Sequence, residues 1–124
     1  MARVLFVDSD KQAREVFGAL LRARHHEAIV ARDGAEAERI MRDRSPDVAV
    51  VEVLLPDRDG RELIRGLRGR WPKTRIIAMT GASERRARAA ERDARTIGAD
   101  MVLPKPIGAD ALFKAVVRLV GETD

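Results

Sequence analysis

Five short apolar runs, residues 4–7, 28–31, 48–51, 76–79 and 101–103, alternate along this chain with segments whose apolar residues return at helical spacing. That alternation constrains the fold more than any other feature, because strands joined by helices run in the same direction and build a parallel sheet. Between the first two runs, Ala13, Val16, Phe17, Leu20 and Leu21 fall on one face of an amphipathic helix. Ser9 with Gln12 three residues on is a capping-box pattern that marks Ser9 as its N-cap. Asp33 with Glu36, and Asp59 with Glu62, repeat a similar signal before the second and third helices. The inner faces of those helices carry Ala37, Ile40 and Met41, then Leu63, Ile64 and Leu67. Because each crossover is right-handed, the predicted architecture is α/β: a doubly wound, five-stranded parallel sheet of order 2-1-3-4-5 with helices on both faces.

A chain of 124 residues is the size of one domain, and no repeat, low-complexity tract or Pro/Gly-rich linker divides residues 1–124. The absence of Cys excludes disulfides, thiolate metal sites and cysteine nucleophiles together. No apolar run approaches the roughly 20 residues that span a bilayer. The opening residues turn acidic too soon for a signal peptide, so the expected setting is cytoplasmic. The 24 basic and 20 acidic side chains leave a net charge of +4, with Arg far outnumbering Lys. Three Phe, one Trp and no Tyr give few stacking partners for bases, so the Arg-rich surface reads as solvated and nucleic acid is not an expected partner.

In an open parallel sheet, functional groups gather beyond the carboxyl ends of the strands. The residues there are Asp8, Glu52, Thr80 and Lys105, from runs one, three, four and five, which are neighbours in the predicted order. Two carboxylates, a hydroxyl and an ammonium around one crevice suit a divalent cation and a phosphoryl group. Order and spacing over essentially the whole chain resemble the receiver domain of two-component response regulators. The segment VLFVDSD is similar to that family's acidic end of strand one, PDVAVVEVLLPDRDG to its phosphoacceptor strand and loop, IIAMTGAS to its Thr/Ser strand, and VLPKPI to its Lys-Pro turn. The resemblance implies that Glu52 holds the phosphoacceptor position, that Asp8 with Asp10 forms the acidic pocket, and that Thr80 and Lys105 are the switch hydroxyl and the phosphate-contacting lysine. Pro56, Asp59 and Gly60 match the family's loop, and Pro106 its turn, which often contains a cis bond.

Three departures qualify the resemblance. Where the family has Asp, a second acidic residue and an aromatic switch residue, this chain has Glu52, Ser9 and Val102. A glutamate carries its carboxylate one methylene further out, which misplaces a nucleophile that needs near-attack geometry. Ser9 removes a charged Mg²⁺ ligand, so Mg²⁺ binding through Asp8 and Glu52 is expected to be weak or absent, and no cofactor is required. Val102 lacks the ring whose movement reports phosphorylation in the family. The expected function is therefore that of an atypical, non-enzymatic receiver, acting through contacts with a histidine kinase or output protein, with Glu52 a fixed negative charge paired with Lys105.

Other features carry less. His25 and His26 do not share a helical face and read as surface residues. Trp71 before Pro72 reads as a packing plug. In the fourth helical segment Ala87, Ala90, Ala94 and Ile97 make one face and Arg85, Arg88, Arg92 and Arg95 another, relieved by Glu84, Glu91 and Asp93. In the last helix Leu112, Ala115, Val116 and Leu119 form a core stripe, which Phe113, Val117 and Val120 widen to an arc of roughly 200°. That breadth points to a homodimer or partner complex, which the resemblance places on the fourth and fifth helices. Two rival readings differ in class. Asp8-Ser9-Asp10 also resembles the nucleophile motif of haloacid-dehalogenase-type phosphatases, but no acidic metal site follows Lys105. A flavodoxin-like nucleotide binder needs a Gly-rich or hydroxyl-rich loop after the first strand, and none is there.

Overall fold

All five runs are strands in the computed structural model, which describes residues 1–81, 89, 92 and 98–121. They are β1 (Arg3–Val7), β2 (Glu27–Ala31), β3 (Val48–Glu52), β4 (Arg75–Thr80) and β5 (Met101–Pro104), all parallel, in the order β2-β1-β3-β4-β5. Each outruns its apolar run because ladder hydrogen bonds continue through residues such as Arg3, Glu27, Glu52 and Arg75, where the sheet meets solvent. The central strands are apolar almost throughout because both faces are covered. Val4, Phe6, Val48, Val50, Ile77 and Met79 share one core with α1 (Lys11–Ala23) and the last helix, Ala109–Gly121. Leu5, Val7, Ala49, Val51, Ile76 and Ala78 share the other with α2 (Gly34–Met41) and α3 (Gly60–Arg70).

Asp33 and Asp59 cap α2 and α3 as predicted, accepting from Glu36 N–H at 2.8 Å and Arg61 N–H at 2.9 Å. The cap of α1 is Asp10, not Ser9: its Oδ1 accepts from Gln12 N–H at 2.9 Å. A strong capping residue one step nearer the helix takes the role, and Ser9 is left to another partner. On α1, Leu21 and Gly18 are buried and Ala13, Phe17 and Leu20 lean on the core, with Phe17 stacked on Phe6 at 5.4 Å. Val16, predicted for that face, is 46% exposed, because it sits at the edge of an arc that the sheet only partly covers.

The last helix corrects a second expectation. Leu112, Ala115, Val116 and Leu119 are buried as predicted, but so is Phe113, with the Arg24 guanidinium 4.1 Å above its ring. Val120 is half-buried and packs on the same core, so of the proposed dimer face only Val117, 65% exposed, remains outward. The end of α1 supplies the cover that helical periodicity alone could not reveal. The predicted fourth-helix faces (Ala87, Ala90, Ala94 and Ile97; Arg85, Arg88 and Arg95) and their acidic relief lie outside the described residues; Arg92 is exposed. Among the described residues no helix is long and apolar enough to cross a membrane.

The two histidines part company. His25 is exposed and takes a left-handed backbone, φ 68°, where glycine usually ends a helix. His26 is half-buried, and its Nδ1 accepts from Ala2 N–H at 3.1 Å, which ties the start of β1 to the end of α1. Burial first, then the Met1 amino group, Arg24 and His25, hold its pKa below the ordinary value. A histidine depressed on folding contributes stability above its unfolded pKa, about 6.5, and that contribution is lost as pH falls through the lower folded value. Urea midpoints are expected to fall between about pH 7 and pH 5, and to fall less in His26→Gln, which keeps an acceptor without a titration in that range. Equal pH slopes in the two chains would remove His26 as the cause.

Candidate functional site

The strand order brings β1, β3, β4 and β5 side by side, so the residues at their carboxyl ends converge. Asp8 follows β1, Glu52 and Thr80 end β3 and β4, and Lys105 follows β5. The Lys105 Nζ donates to Asp8 Oδ2 and to Glu52 Oε1, each at 3.0 Å. The other oxygen of Glu52 is also engaged: Oε2 accepts from Ser9 N–H at 2.9 Å and Ser9 Oγ at 3.1 Å. Asp8 Oδ1 accepts from Asp10 N–H at 2.9 Å. Both carboxylates therefore have donors on each oxygen.

Burial grades the charges. The Asp8 side chain is 1% exposed, Glu52 12% and Lys105 26%. Burial by itself would push the Lys105 ammonium down, but hydrogen bonds to Asp8 and Glu52, with their charges, raise it above the ordinary lysine value. Lys105 N–H also donates to Thr80 O at 2.6 Å, which sets the turn after β5 against the end of β4. The Lys105–Pro106 peptide is cis, as the resemblance implied. Thr80 is 4% exposed, and its Oγ1 is buried with no hydrogen-bond partner among the described residues. A buried hydroxyl without a partner is costly, and this one ends the strand beside Glu52 and Lys105.

Of the predicted site residues, Asp8, Glu52, Lys105 and Ser9 form one hydrogen-bonded group. Thr80 joins it through its backbone only. Asp10, predicted for the acidic pocket, contributes its N–H, while its carboxylate caps α1. Val102 pairs with Ala78 and is half-buried against the core under α2 and α3.

Two supports escaped the sequence reading. Arg14 Nη1 donates to the carbonyls of Asp8 and Ser9, at 2.9 and 3.0 Å, and so fixes the loop that presents Ser9 to Glu52. Asp57 accepts from Gly34 and Ala35 N–H, both at 3.0 Å, and latches the loop after β3 to the start of α2. Those backbone donors, Gly34 first, hold the Asp57 carboxyl below its usual range, and neighbouring Arg58 pairs with Glu38. The loop closes tightly: a Cβ on Gly60 would fall 2.3 Å from the Glu52 carbonyl, so only glycine fits. The sole trace of Arg14 in the sequence is its spacing from Asp10 along α1. Asp57 leaves no trace, since its partners are 22 and 23 residues away.

A divalent cation entering here would meet Asp8, Glu52 and the Ser9 hydroxyl with Lys105 already bonded to both carboxylates. Among the described residues no group of three or more His, Cys, Asp or Glu is placed to hold a metal ion. A Mg²⁺ ion bound through Asp8 and Glu52 would have to share both carboxylates with the Lys105 ammonium or displace it.

A parallel sheet with a lysine bridging two strand-end carboxylates beside a buried threonine defines a receiver-type signalling module. Residues 4–117 match the response regulator receiver domain family, and the chain belongs to it. It is 36% identical over 122 residues to response regulator MprA of Mycobacterium leprae, and 34% identical over 121 residues to that of Mycobacterium tuberculosis. These alignments cover 98% of this chain but 52% and 51% of the relatives, so the chain spans about half their length. Among solved structures, the Francisella response regulator 1452 receiver domain superposes with a TM-score of 0.90 at 26% identity, covering 100% of both chains. Vibrio cholerae chemotaxis protein CheY4 gives 0.86 at 26%, covering 96% of this chain and 98% of its own.

Proposed function

We propose that this receiver domain of two-component signalling works through protein contacts without using Glu52 as a phosphoacceptor. The observation that carries the reading is the double engagement of Glu52: Oε1 on Lys105 and Oε2 on Ser9 N–H and Oγ. A nucleophilic carboxylate must present a free lone pair in line with the phosphorus of the donor. Here Oε2 holds two donors and Oε1 holds Lys105, so the one lone pair left on Oε1 lies beside the ammonium, and few acidic ligands stand ready for the metal-bound phosphoryl group that would draw Lys105 away. The reading includes weak Mg²⁺ binding and a histidine kinase or output protein as partner. It gives Glu52 a fixed charge that reproduces one half of a phosphorylated site, the contact with lysine, and not the other, since Thr80 Oγ1 has no partner among the described residues. Nothing favours a phosphatase with Asp8 as nucleophile: its carboxylate accepts from Asp10 N–H and Lys105 and is 1% exposed.

Intact-mass measurement after incubation with acetyl phosphate and Mg²⁺ tests the reading. The expected spectrum shows the unmodified chain alone. A stoichiometric phosphoryl adduct that disappears in Glu52→Gln would overturn it.

A further inference from the structure

The amino ends of the strands form the edge of the sheet remote from Lys105, and two loops meet there, residues 42–47 after α2 and 71–74 after α3. Hollows lie on both sides of the meeting point. One, of about 490 Å³, is walled by Pro46, Trp71 and Pro72, with Ser45, Thr74 and the charged Asp47 and Lys73 completing it. The other, of about 270 Å³, runs between α2 and α3 over Met41, Leu63 and Leu67, with Arg42, Arg70 and Glu38, which pairs with Arg58, at its borders. Trp71 is half-buried between them, packed on the core as predicted, with the Arg70 guanidinium 5.6 Å from its ring.

Charge at this edge is unbalanced. Arg44 is paired with Glu27 at 2.7 Å, and the Asp47 carboxylate accepts from Arg3 N–H at 2.7 Å. Arg42, Arg70 and Lys73 are exposed, and among the described residues no carboxylate pairs with them. Arg70 donates to the Arg42 carbonyl at 3.3 Å, which holds the ends of α2 and α3 together. Helix α3 also carries Gly66 and Gly69, where an added Cβ would meet nothing within 4 Å. Glycine inside a helix costs about 1 kcal/mol relative to alanine, and no neighbour among the described residues requires it here.

We propose that this edge is a docking site for an acidic segment of a partner protein. An apolar side chain of the partner enters the hollow beside Trp71, carboxylates meet Arg42, Arg70 and Lys73, and the bare helix surface at Gly66 and Gly69 allows close approach. Trp and Arg are the residues most enriched where a few contacts dominate binding. Nucleic acid fits less well, because Trp71 is the chain's single Trp and no Tyr accompanies it to stack bases. The site uses no residue of the Glu52 crevice, so it goes beyond the phosphorylation reading and does not depend on it.

A single Trp gives a single indole N–H resonance, which reports directly on this edge. The full chain, nitrogen-labelled, is titrated with a short peptide of alternating glutamate and leucine. The expected result is a saturable shift of the Trp71 indole signal. Affinity should be about tenfold lower for Arg42→Glu with Lys73→Glu, and about tenfold lower for a peptide with glutamine in place of glutamate. Both substituted side chains are exposed and make no ion pair among the described residues, and the dispersion of the amide spectrum checks that the variant folds. An unmoved indole signal, equal affinity for the charge-reversed chain, or tighter binding of a thymidine oligonucleotide would each overturn the proposal.

Discussion

Glu52→Asp combined with Ser9→Asp is expected to convert a chain that acetyl phosphate leaves unchanged into one that takes up a phosphoryl group when Mg²⁺ is present. In the reaction a carboxylate oxygen forms a bond to phosphorus while the bond from phosphorus to the acetate oxygen breaks and acetate leaves. In the native crevice Glu52 reaches far enough to touch both Lys105 and Ser9, at 3.0 and 2.9 Å. Shortening it by one methylene withdraws the nucleophile from those contacts. Ser9→Asp acts on the other deficit: it removes the hydroxyl donor, leaves the backbone N–H of residue 9 in place, and adds a carboxylate beside Asp8 for the metal. A misplacement of about 1 Å costs on the order of 10²-fold in rate, so each single variant should be slower than the pair by at least that order. Intact mass over time, with and without chelator, gives the three rates. If the double variant gains no adduct, reach and metal charge are not what silences the site, and the lysine bridge itself becomes the suspect.

The sheet was legible because its signal is redundant: five apolar runs, helical spacing between them and acidic caps all call for the same topology. The strand ends inherited that clarity, since a parallel order fixes which residues converge, and Asp8, Glu52 and Lys105 do meet. What the sequence hid was how neighbours divide the work. Ser9 and Asp10 are both good caps, and only the structure shows that Asp10 caps α1 while Ser9 binds Glu52. Phe113 read as outward because periodicity locates a residue on its own helix and is blind to what another element brings; the end of α1, through Arg24, covers it. Asp57 had no local signature at all, because an aspartate capping a helix far along the chain looks like any loop residue. Thr80 ends its strand at the crevice as expected, but residue identity alone does not show that its hydroxyl is buried with no partner among the described residues.

Lys105→Met is expected to destabilise the domain by about 2 kcal/mol, between the value of an exposed ion pair and that of a fully buried one. The ammonium is the cation that bridges Asp8 and Glu52, and the variant leaves those carboxylates, 1% and 12% exposed, facing a methylated stem. Asp8 retains Asp10 N–H and Glu52 retains Ser9, so neither is stripped of donors, which is why the loss stops short of the buried limit. At about 4 °C per kcal/mol for a domain near this size, the melting temperature should fall by about 8 °C. Adding Glu52→Gln to Lys105→Met removes one of the opposed charges and should restore about half the loss, whereas Glu52→Gln alone in the native chain should cost less than 1 kcal/mol. The sign with pH follows from the raised Lys105 pKa: the native chain keeps the bridge's full contribution below the unfolded lysine value of about 10.4 and loses it as pH rises through the higher folded value. Chemical denaturation of the four chains at neutral pH, and of native and Lys105→Met through the alkaline range, checks both statements. A Lys105→Met chain within about 0.5 kcal/mol of native would show that the bridge is worth no more than a surface pair, and that Glu52 is held in place by Ser9 alone.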